Sequence, residues 1–246
     1  MAKKKTFEEV QNEIEQLGFK LLDKEYVNAK TKLTIECPNG HHIHKTLYAF
    51  KRKPICETCE KNKTTTEKAE SYVQKMSPPP KPKGTRRVLA LDDATSKTGI
   101  SVFDGNKLVY YGKVEASHPE AVERISFLRQ LLLLLISEWK PDIVAIEDIQ
   151  LQDNVQTFKV LAQLQGVLEN VLYEKKVEYY IVSASTWKSH CRITGRNRQK
   201  QKQSAQERVK QWYGVVATQD ECDAICLGKY VADKYATEQK LIFWGE

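Results

Sequence analysis

The chain has 246 residues, of which 41% are hydrophobic, so it can form one large domain or two unequal ones with a real core. It carries 39 lysine and arginine residues against 32 aspartate and glutamate residues, and the net charge of +7 favours a polyanionic partner without proving one. The lysine-rich start has no apolar segment behind it, and the longest apolar run, 131–136, is too short for a membrane span. These features argue against a secretory signal peptide and a membrane anchor, and we expect a cytoplasmic protein.

The first part of the chain is a short segment with a set of metal-ligand residues. Its apolar spacing predicts an amphipathic helix over 6–17 and short strands at 21–22 and 32–36. A Cys-x3-His pair and a Cys-x2-Cys pair follow, and a tight turn in each pair directs two side chains at one ion. A region this small buries little, so metal binding would supply much of its folding free energy. We therefore predict a zinc-binding module over 1–62 with one Zn²⁺ held by Cys37, His41, Cys56 and Cys59.

The alternative for this module is a set of free thiols and a surface histidine. The other three cysteines, Cys191, Cys222 and Cys226, are scattered, and a reducing cytoplasm favours a metal site plus buried thiols over disulfides. The stretch 26–59 also resembles small treble-clef-like zinc modules attached to phage and bacterial DNA-processing enzymes. That resemblance implies a module that grips DNA or sets its orientation, with docking of a protein as the alternative.

A change in composition marks the domain boundary. After residue 60 the chain loses apolar periodicity and becomes rich in lysine and threonine, with a short helix possible around 67–76 and a proline-rich run at 77–82. Consecutive prolines favour an extended, semi-rigid spacer, and the lysines among them suit phosphate contact. We predict a Lys/Pro-rich linker over 63–86 and a second domain over 87–246.

The second domain alternates apolar runs with amphipathic segments. The predicted order is a strand at 88–92, a hairpin of 100–103 with 107–111, a helix opened by a capping box at 117–120, a strand at 142–147, a helix at 155–174, a strand at 177–182, a short helix at 185–190, a basic loop and two closing helices. Three strands in meander order followed by alternating helices and strands imply a mixed sheet covered on both faces. The predicted fold class is therefore α/β, with a mixed sheet flanked by helices and preceded by a small zinc-binding domain.

Acids terminate two of the predicted core strands. Because side chains alternate along a strand, Asp92 and Glu147 each share a face with the apolar residues two and four positions before them. If the strands are neighbours, the two carboxylates meet at one sheet edge. Asp220 and Asp223 share one face of the last helix, although Asp220 alone could also be a helix cap. Four converging acids repel one another, and two divalent cations at such a site are the apparatus for phosphodiester cleavage.

The segments around these acids resemble the RuvC family of Holliday junction resolvases, in the form found in phages. The resemblance spans roughly residues 86–236 and rests on Leu91-Asp92 to Thr98-Gly99, Ala145-Ile146-Glu147, Gln165-Gly166, Ser185-Thr186-Trp187-Lys188 and Asp220-x-x-Asp223-Ala224. It implies an RNase H-like metal-dependent nuclease that acts as a homodimer on four-way DNA junctions, with two Mg²⁺ or Mn²⁺ ions per active site. It also implies that the catalytic metal ligands are Asp92, Glu147, Asp220 and Asp223, in a bacterial or phage-infected cell.

Basic residues accompany the acids in this resemblance. It places Lys188, and one of Lys200 or Lys202, at the scissile phosphate. The segment 195–202 carries arginine and lysine around a flexible glycine, which suits phosphate contact, whereas the ordinary alternative is a solvated loop. We expect DNA contacts from Lys188, Arg196, Arg198, Lys200 and Lys202.

The chain departs from the family three residues after the strand glutamate. The family often has an aromatic residue there that wedges bases apart, and this chain has Gln150. The departure bears on junction opening and sequence preference. The alternative functions are a flap, RNA-hybrid or transposon-associated nuclease and a non-cleaving junction-binding protein, and the intact set of four acids argues against the last. The dimerisation surface is also open: the apolar stripe of the helix at 155–172 is a candidate, although such stripes more often pack in the core.

Overall fold

The chain forms two compact units. The computed structural model describes residues 5–92, 94, 96–150 and 154–235, and the division between the units falls after Thr64. The predicted end of the zinc module, at residue 62, is close to this division. Within the described part of the chain, no helix is long and apolar enough to cross a bilayer.

The first unit contains a three-stranded antiparallel sheet and three short helices among its described residues. In chain order its elements are α1 (Phe7–Glu15), β1 (Lys20–Leu21), β2 (Lys32–Glu36), β3 (His42–Thr46), α2 (Leu47–Arg52) and α3 (Glu57–Asn62), with the sheet in the order β1-β2-β3. Helix α1 starts in a capping box, in which Thr6 Oγ1 accepts from the Glu9 N–H and the Glu9 carboxylate accepts from the Thr6 N–H. The apolar faces of these elements share one core, which includes Val10, Ile14, Leu33, Ile35, Ile43, Leu47 and Phe50.

The second unit is built on a five-stranded mixed sheet. Its elements are α4 (Thr65–Val73), β4 (Arg87–Asp92), β5 (Lys97–Asp104), β6 (Lys107–Glu115), α5 (Ala121–Trp139), β7 (Ile143–Glu147), α6 (Val155–Glu174), β8 (Glu178–Val182), α7 (Ala184–His190), α8 (Arg198–Tyr213) and α9 (Gln219–Tyr235). The strand order is β6-β5-β4-β7-β8, in which β4, β5 and β6 form an antiparallel meander and β7 and β8 extend the sheet in parallel from β4. This arrangement confirms the predicted α/β fold.

Strand alternation divides the interior of the second unit into two cores. Leu89 and Leu91 of β4 face α4, α5 and α6, whereas Val88 and Ala90, which alternate with them, face α7, α8 and α9. The apolar stripe of α6 that was considered for dimerisation belongs in part to the first core, where Leu168 is buried. Helices therefore cover both faces of the sheet, as the alternating pattern predicted.

The segment predicted as a linker is packed against the second unit. Helix α4 buries its apolar side chains in the core formed with α5. Beyond α4, the Pro79 carbonyl accepts a hydrogen bond from the Arg87 guanidinium at 2.9 Å, and Lys81 Nζ lies 2.6 Å from the Asp142 carboxylate. These contacts make most of the segment part of the second unit. Of the predicted linker, only residues 63 and 64 lie between the helices α3 and α4.

The starts of two helices differ from the prediction. Helix α5 has Glu120 as its N-cap residue, which makes no side-chain cap hydrogen bond, so the capping box predicted at 117–120 is wrong. Helix α8 is capped by Asn197, whose Oδ1 accepts from the Lys200 N–H at 2.9 Å. As a result, a large part of the basic segment predicted as a loop is the first turn of a helix.

An ion pair lies in the interior of the second unit. Arg87 and Asp104 are 3% and 5% exposed, and their side chains form two hydrogen bonds, Nε to Oδ1 at 2.6 Å and Nη2 to Oδ2 at 2.7 Å. Arg87 Nη1 also donates to the Trp139 carbonyl oxygen at 3.1 Å. Because the guanidinium and the carboxylate satisfy each other, the pair links β4 to β5 and to the end of α5.

Candidate functional site

Strand pairing brings the first two acids together. Strands β4 and β7 are parallel neighbours with Leu91 beside Ile146, so the next residues, Asp92 and Glu147, end at the same edge of the sheet. Both acids continue the alternation of the strand residues that pack against α9. After burial, the proximity of Glu147 is accordingly among the causes that raise the pKa of the Asp92 carboxyl.

The other two acids come from the start of α9. The N–H and Oγ1 of Thr218 both donate to the Glu221 carboxylate, at 2.7 and 2.8 Å. The Glu221 carboxylate therefore binds the residue that precedes α9, and Asp220 lies inside the helix and is not its N-cap. Asp220 and Asp223 line the same cleft as the two strand-end acids.

Close packing between α9 and β5 sets the position of these acids. Ser101 Oγ donates to the Ala224 carbonyl oxygen at 2.8 Å, which joins the strand to the helix backbone. A Cβ atom built on Gly99 would lie 2.0 Å from the Asp220 carbonyl oxygen, and one built on Gly228 would lie 2.5 Å from Ser101 Oγ. Because no larger residue fits at Gly99 without moving the helix, glycine there permits the approach of Asp220 to the sheet.

Burial and nearby negative charge disfavour the ionised forms of two of these acids, Asp92 and Asp223. Burial raises the pKa of Asp92 well above its ordinary value, and the charges of Glu147 and Asp220 raise it further, while Lys188 opposes them. Burial, followed by the charge of Asp92, raises the pKa of Asp223 to about 7. A cation among these carboxylates would stabilise their ionised forms.

The acids line a cleft of about 360 Å³ that also contains basic residues. Of the residues predicted to contact DNA, Lys188, Arg198 and Lys202 line this cleft. Arg196 and Lys200 are exposed and lie outside its lining. The cleft thus combines a buried cluster of acids with cations at its wall.

Two residues that line the cleft, Lys97 and Gln150, were not predicted from the sequence as part of the site. Lys97 lines the cleft, and its Nζ lies 3.7 Å from a carboxylate oxygen of Glu115. Gln150, noted in the sequence only for replacing an aromatic residue, lines it as well. The available signal for Lys97 was its place five residues after Asp92, at the start of the next strand.

The predicted zinc ligands also converge. The ligand atoms of Cys37, His41, Cys56 and Cys59 all lie within 4.8 Å of one another. The Sγ atoms of Cys37 and Cys59 are 3.6 Å apart, and His41 Nδ1 is 3.6 Å from the former and 3.2 Å from the latter. A tetrahedral zinc ion with Zn–S bonds of about 2.3 Å requires sulfur atoms about 3.8 Å apart, so the cluster has the size for one ion. Asn39 Nδ2 supports it from outside by donating to Cys59 Sγ at 3.4 Å.

Comparison with known proteins agrees with this architecture. The family model of the crossover junction endodeoxyribonuclease RuvC matches residues 88–228, more than half of the chain. RuvC of Finegoldia magna is 27% identical over 146 residues, which cover 57% of this chain and 89% of that protein. RuvC of Alkaliphilus metalliredigens is 34% identical over 87 residues, 33% of this chain and 53% of that protein.

A solved structure shows the likeness in fold. RuvC of T. thermophilus, in complex with a Holliday junction substrate, has a TM-score of 0.51 and 18% identity to this chain, and the likeness covers 60% of this chain and 92% of that one. The resemblance of the second domain to the RuvC family, inferred from the sequence, is confirmed by the family match. The chain belongs to the RuvC family of crossover junction endodeoxyribonucleases.

Proposed function

We propose that this Holliday junction resolvase cleaves DNA phosphodiesters in the acidic cleft of its second unit. Endonuclease activity on crossover junctions follows from the family. One observation carries the assignment of the site: Asp92, Glu147, Asp220 and Asp223, from β4, β7 and α9, line one cleft beside Lys188. Residues so far apart in the chain converge there, and burial disfavours the charged forms of Asp92 and Asp223, which is the arrangement expected of a functional site.

The carboxylates fit divalent cations, on which the family depends. Hard cations prefer carboxylate oxygens, and a bound cation would offset the burial and the negative charge that raise the pKa of Asp92 and Asp223. We assign the four acids to two Mg²⁺ or Mn²⁺ ions, which when bound supply an activated water and stabilise the phosphate oxygens. The chain itself holds two ligands at rigid strand ends and two on a helix fixed against β5.

Basic residues around the acids suit the DNA backbone. We assign Lys188, Arg198 and Lys202 to phosphates inside the cleft, where they also stabilise the negative charge that develops during cleavage. Arg196 and Lys200, exposed outside the lining, are assigned to flanking phosphates. The proposed partner is branched DNA, in keeping with the junction bound by T. thermophilus RuvC.

Symmetric cleavage requires a second active site. Two opposed strands of a four-way junction must be nicked, and one cleft holds one acid cluster. Closed two-fold dimers are the commonest way in which a chain supplies two equivalent sites. We therefore propose that the working unit is a homodimer.

We assign one Zn²⁺ to the first unit. The ligand atoms of Cys37, His41, Cys56 and Cys59 lie within 4.8 Å of one another and would fill all four positions of a tetrahedral ion. A site with no open position for a substrate is typical of structural zinc. The core of this unit consists of few side chains, so the metal would contribute directly to its folding free energy.

Cleavage of a labelled four-way junction with Mg²⁺, comparing wild type with Glu147→Gln, tests the proposed function. We expect paired symmetric nicks from the wild type, and no nicks but retained junction binding from the variant. Flap, linear and RNA–DNA hybrid substrates of the same sequence serve as controls. Junction binding without cleavage by the wild type in Mg²⁺ or Mn²⁺ would refute the nuclease assignment, and equal cleavage of the control substrates would refute the preference for junctions.

A further inference from the structure

An exposed tyrosine and three cations lie close together in the sequence of the first unit. The ring of Tyr48, on the short helix α2, is 74% exposed and has no aromatic partner among the described residues. Lys51, Arg52 and Lys53 come three to five positions after it and are all exposed. Residues three and four apart share a face of a helix, so Lys51 and Arg52 lie on the side of α2 that carries the tyrosine. We call these four residues the Tyr48 surface.

Two of these three cations are unpaired. Lys51 Nζ lies 3.0 Å from the Glu13 carboxylate, which also pairs with Lys5. Within the described ranges, Arg52 and Lys53 have no ion-pair partner. The Tyr48 surface therefore presents an exposed aromatic residue with Arg52 on the same side of the helix and Lys53 at the end of the helix. Aromatic rings and unpaired basic residues together are the groups with which proteins bind a nucleic acid strand.

A second exposed tyrosine shows that exposure alone does not create such a surface. Tyr173 on α6 is 77% exposed. Glu169 lies one turn before it on the same side of the helix and Glu174 directly follows it, so two acids offset the two lysines at 175–176. Single exposed aromatic residues are ordinary in proteins, and it is the uncompensated charge beside Tyr48 that distinguishes it.

We infer that the Tyr48 surface binds a DNA strand that has an unpaired base. The base stacks on the Tyr48 ring, and Arg52 and Lys53 contact the phosphates on either side. The inference rests on the proposed function in one respect, since that function makes branched DNA the partner of the chain. A branch point supplies unpaired or loosely stacked bases, and a stacking platform accepts any base because each has a π-face.

Binding of full-length variants to labelled DNA tests this inference. Affinity for a single strand, a four-way junction and a duplex is measured over a range of salt concentrations, without added divalent metal and without chelator. Tyr48→Ala should weaken binding of the single strand and the junction about 5-fold or more, with a smaller loss on duplex DNA. Tyr48→Phe keeps the ring and should bind as the wild type does.

The charges give a second readout. Arg52→Ala and Lys53→Ala should each lower the slope of log affinity against log salt by about 0.7 on single strands. The matched control is Lys24→Ala, which removes the same charge from an exposed lysine elsewhere in the unit. Zinc content and far-UV circular dichroism of every variant establish that the unit remains folded.

Two results would overturn the inference. One is wild-type affinity of Tyr48→Ala for both the single strand and the junction. The other is a loss in Lys24→Ala as large as that in Arg52→Ala and Lys53→Ala, which would indicate a general charge effect. Failure of the proposed function is distinguishable, because it appears as absent junction cleavage by the wild type in a parallel assay, whereas failure of this inference leaves wild-type cleavage intact and appears only in the binding of the variants.

Discussion

Replacing Gly99 with alanine tests whether the packing of α9 sets the position of the catalytic acids. The added Cβ atom would start 2.0 Å from the Asp220 carbonyl oxygen and 2.8 Å from its carbonyl carbon, and both are backbone atoms that no rotamer change can move. Ordinary van der Waals contact begins at 3.4 Å, so β5 and the start of α9 must separate by about 1.4 Å. Asp220 and Asp223 would move with the helix.

The expected effect is larger on activity than on stability. Misplacing catalytic groups by about 1 Å lowers a rate on the order of 100-fold, whereas overpacking lowers stability by about 1–3 kcal/mol. Gly99→Ala should therefore remain folded at room temperature and lose about 100-fold in the single-turnover rate of junction cleavage with Mg²⁺. Urea denaturation gives the change in the free energy of unfolding.

Gly228→Ala is the matched control for this prediction. Its added Cβ would lie 2.5 Å from Ser101 Oγ and 2.7 Å from the Phe103 ring, in the same interface but farther along α9 from the acids. We expect a similar loss of stability and a smaller loss of rate, since side chains can adjust where backbone atoms cannot. A wild-type cleavage rate in Gly99→Ala, or equal rate losses in the two variants, would contradict the reasoning.

Three further predictions concern other parts of the molecule. Lys97→Ala should weaken junction binding and lower its salt slope by about 0.9, whereas Lys113→Ala should not, because Lys113 pairs with the same Glu115 at 3.6 Å without lining the cleft. Asp104→Ala should lower the free energy of unfolding by about 3–5 kcal/mol in urea denaturation, since it leaves the buried Arg87 charge unpaired. Removing zinc with a chelator should unfold the first unit and leave the thermal transition of the second unchanged, as monitored by circular dichroism and limited proteolysis.

The parts of the fold that the sequence predicted well are those that depend on strong local patterns. The apolar runs before Asp92 and Glu147 are buried on both faces, so their strand character and their ends are visible without knowledge of their neighbours. Alternation then placed each acid on a definite face. The sequence left open whether the two strands are neighbours, and the pairing of β4 with β7 in the structure completed the geometry.

Elements with few apolar residues were harder to predict. Helix α4 buries Ala69 and Val73, too few to show a periodic face, and its position depends on α5, which is distant in sequence. Helix α8 buries Ala205 and Val209 within a strongly polar segment, so its basic start was predicted as a loop. In both cases the tertiary partner supplies the stabilisation, and a single sequence does not reveal the partner.

The close approach of α9 to the sheet also explains why the sequence reveals which acids form the candidate site but not how far apart they lie. The identity of the acids is local information, but their separation depends on the thickness of the contact between two backbones. That thickness is set by Gly99, Ser101 and Gly228, which are small residues without chemistry of their own. Buried acids disfavour the packed state, and the fully buried Ile225 and Val231 on the same helix oppose that effect by holding it against the sheet. The geometry of the site is therefore a property of the helix–sheet interface as a whole, and substitutions at this interface should alter cleavage without touching an acid.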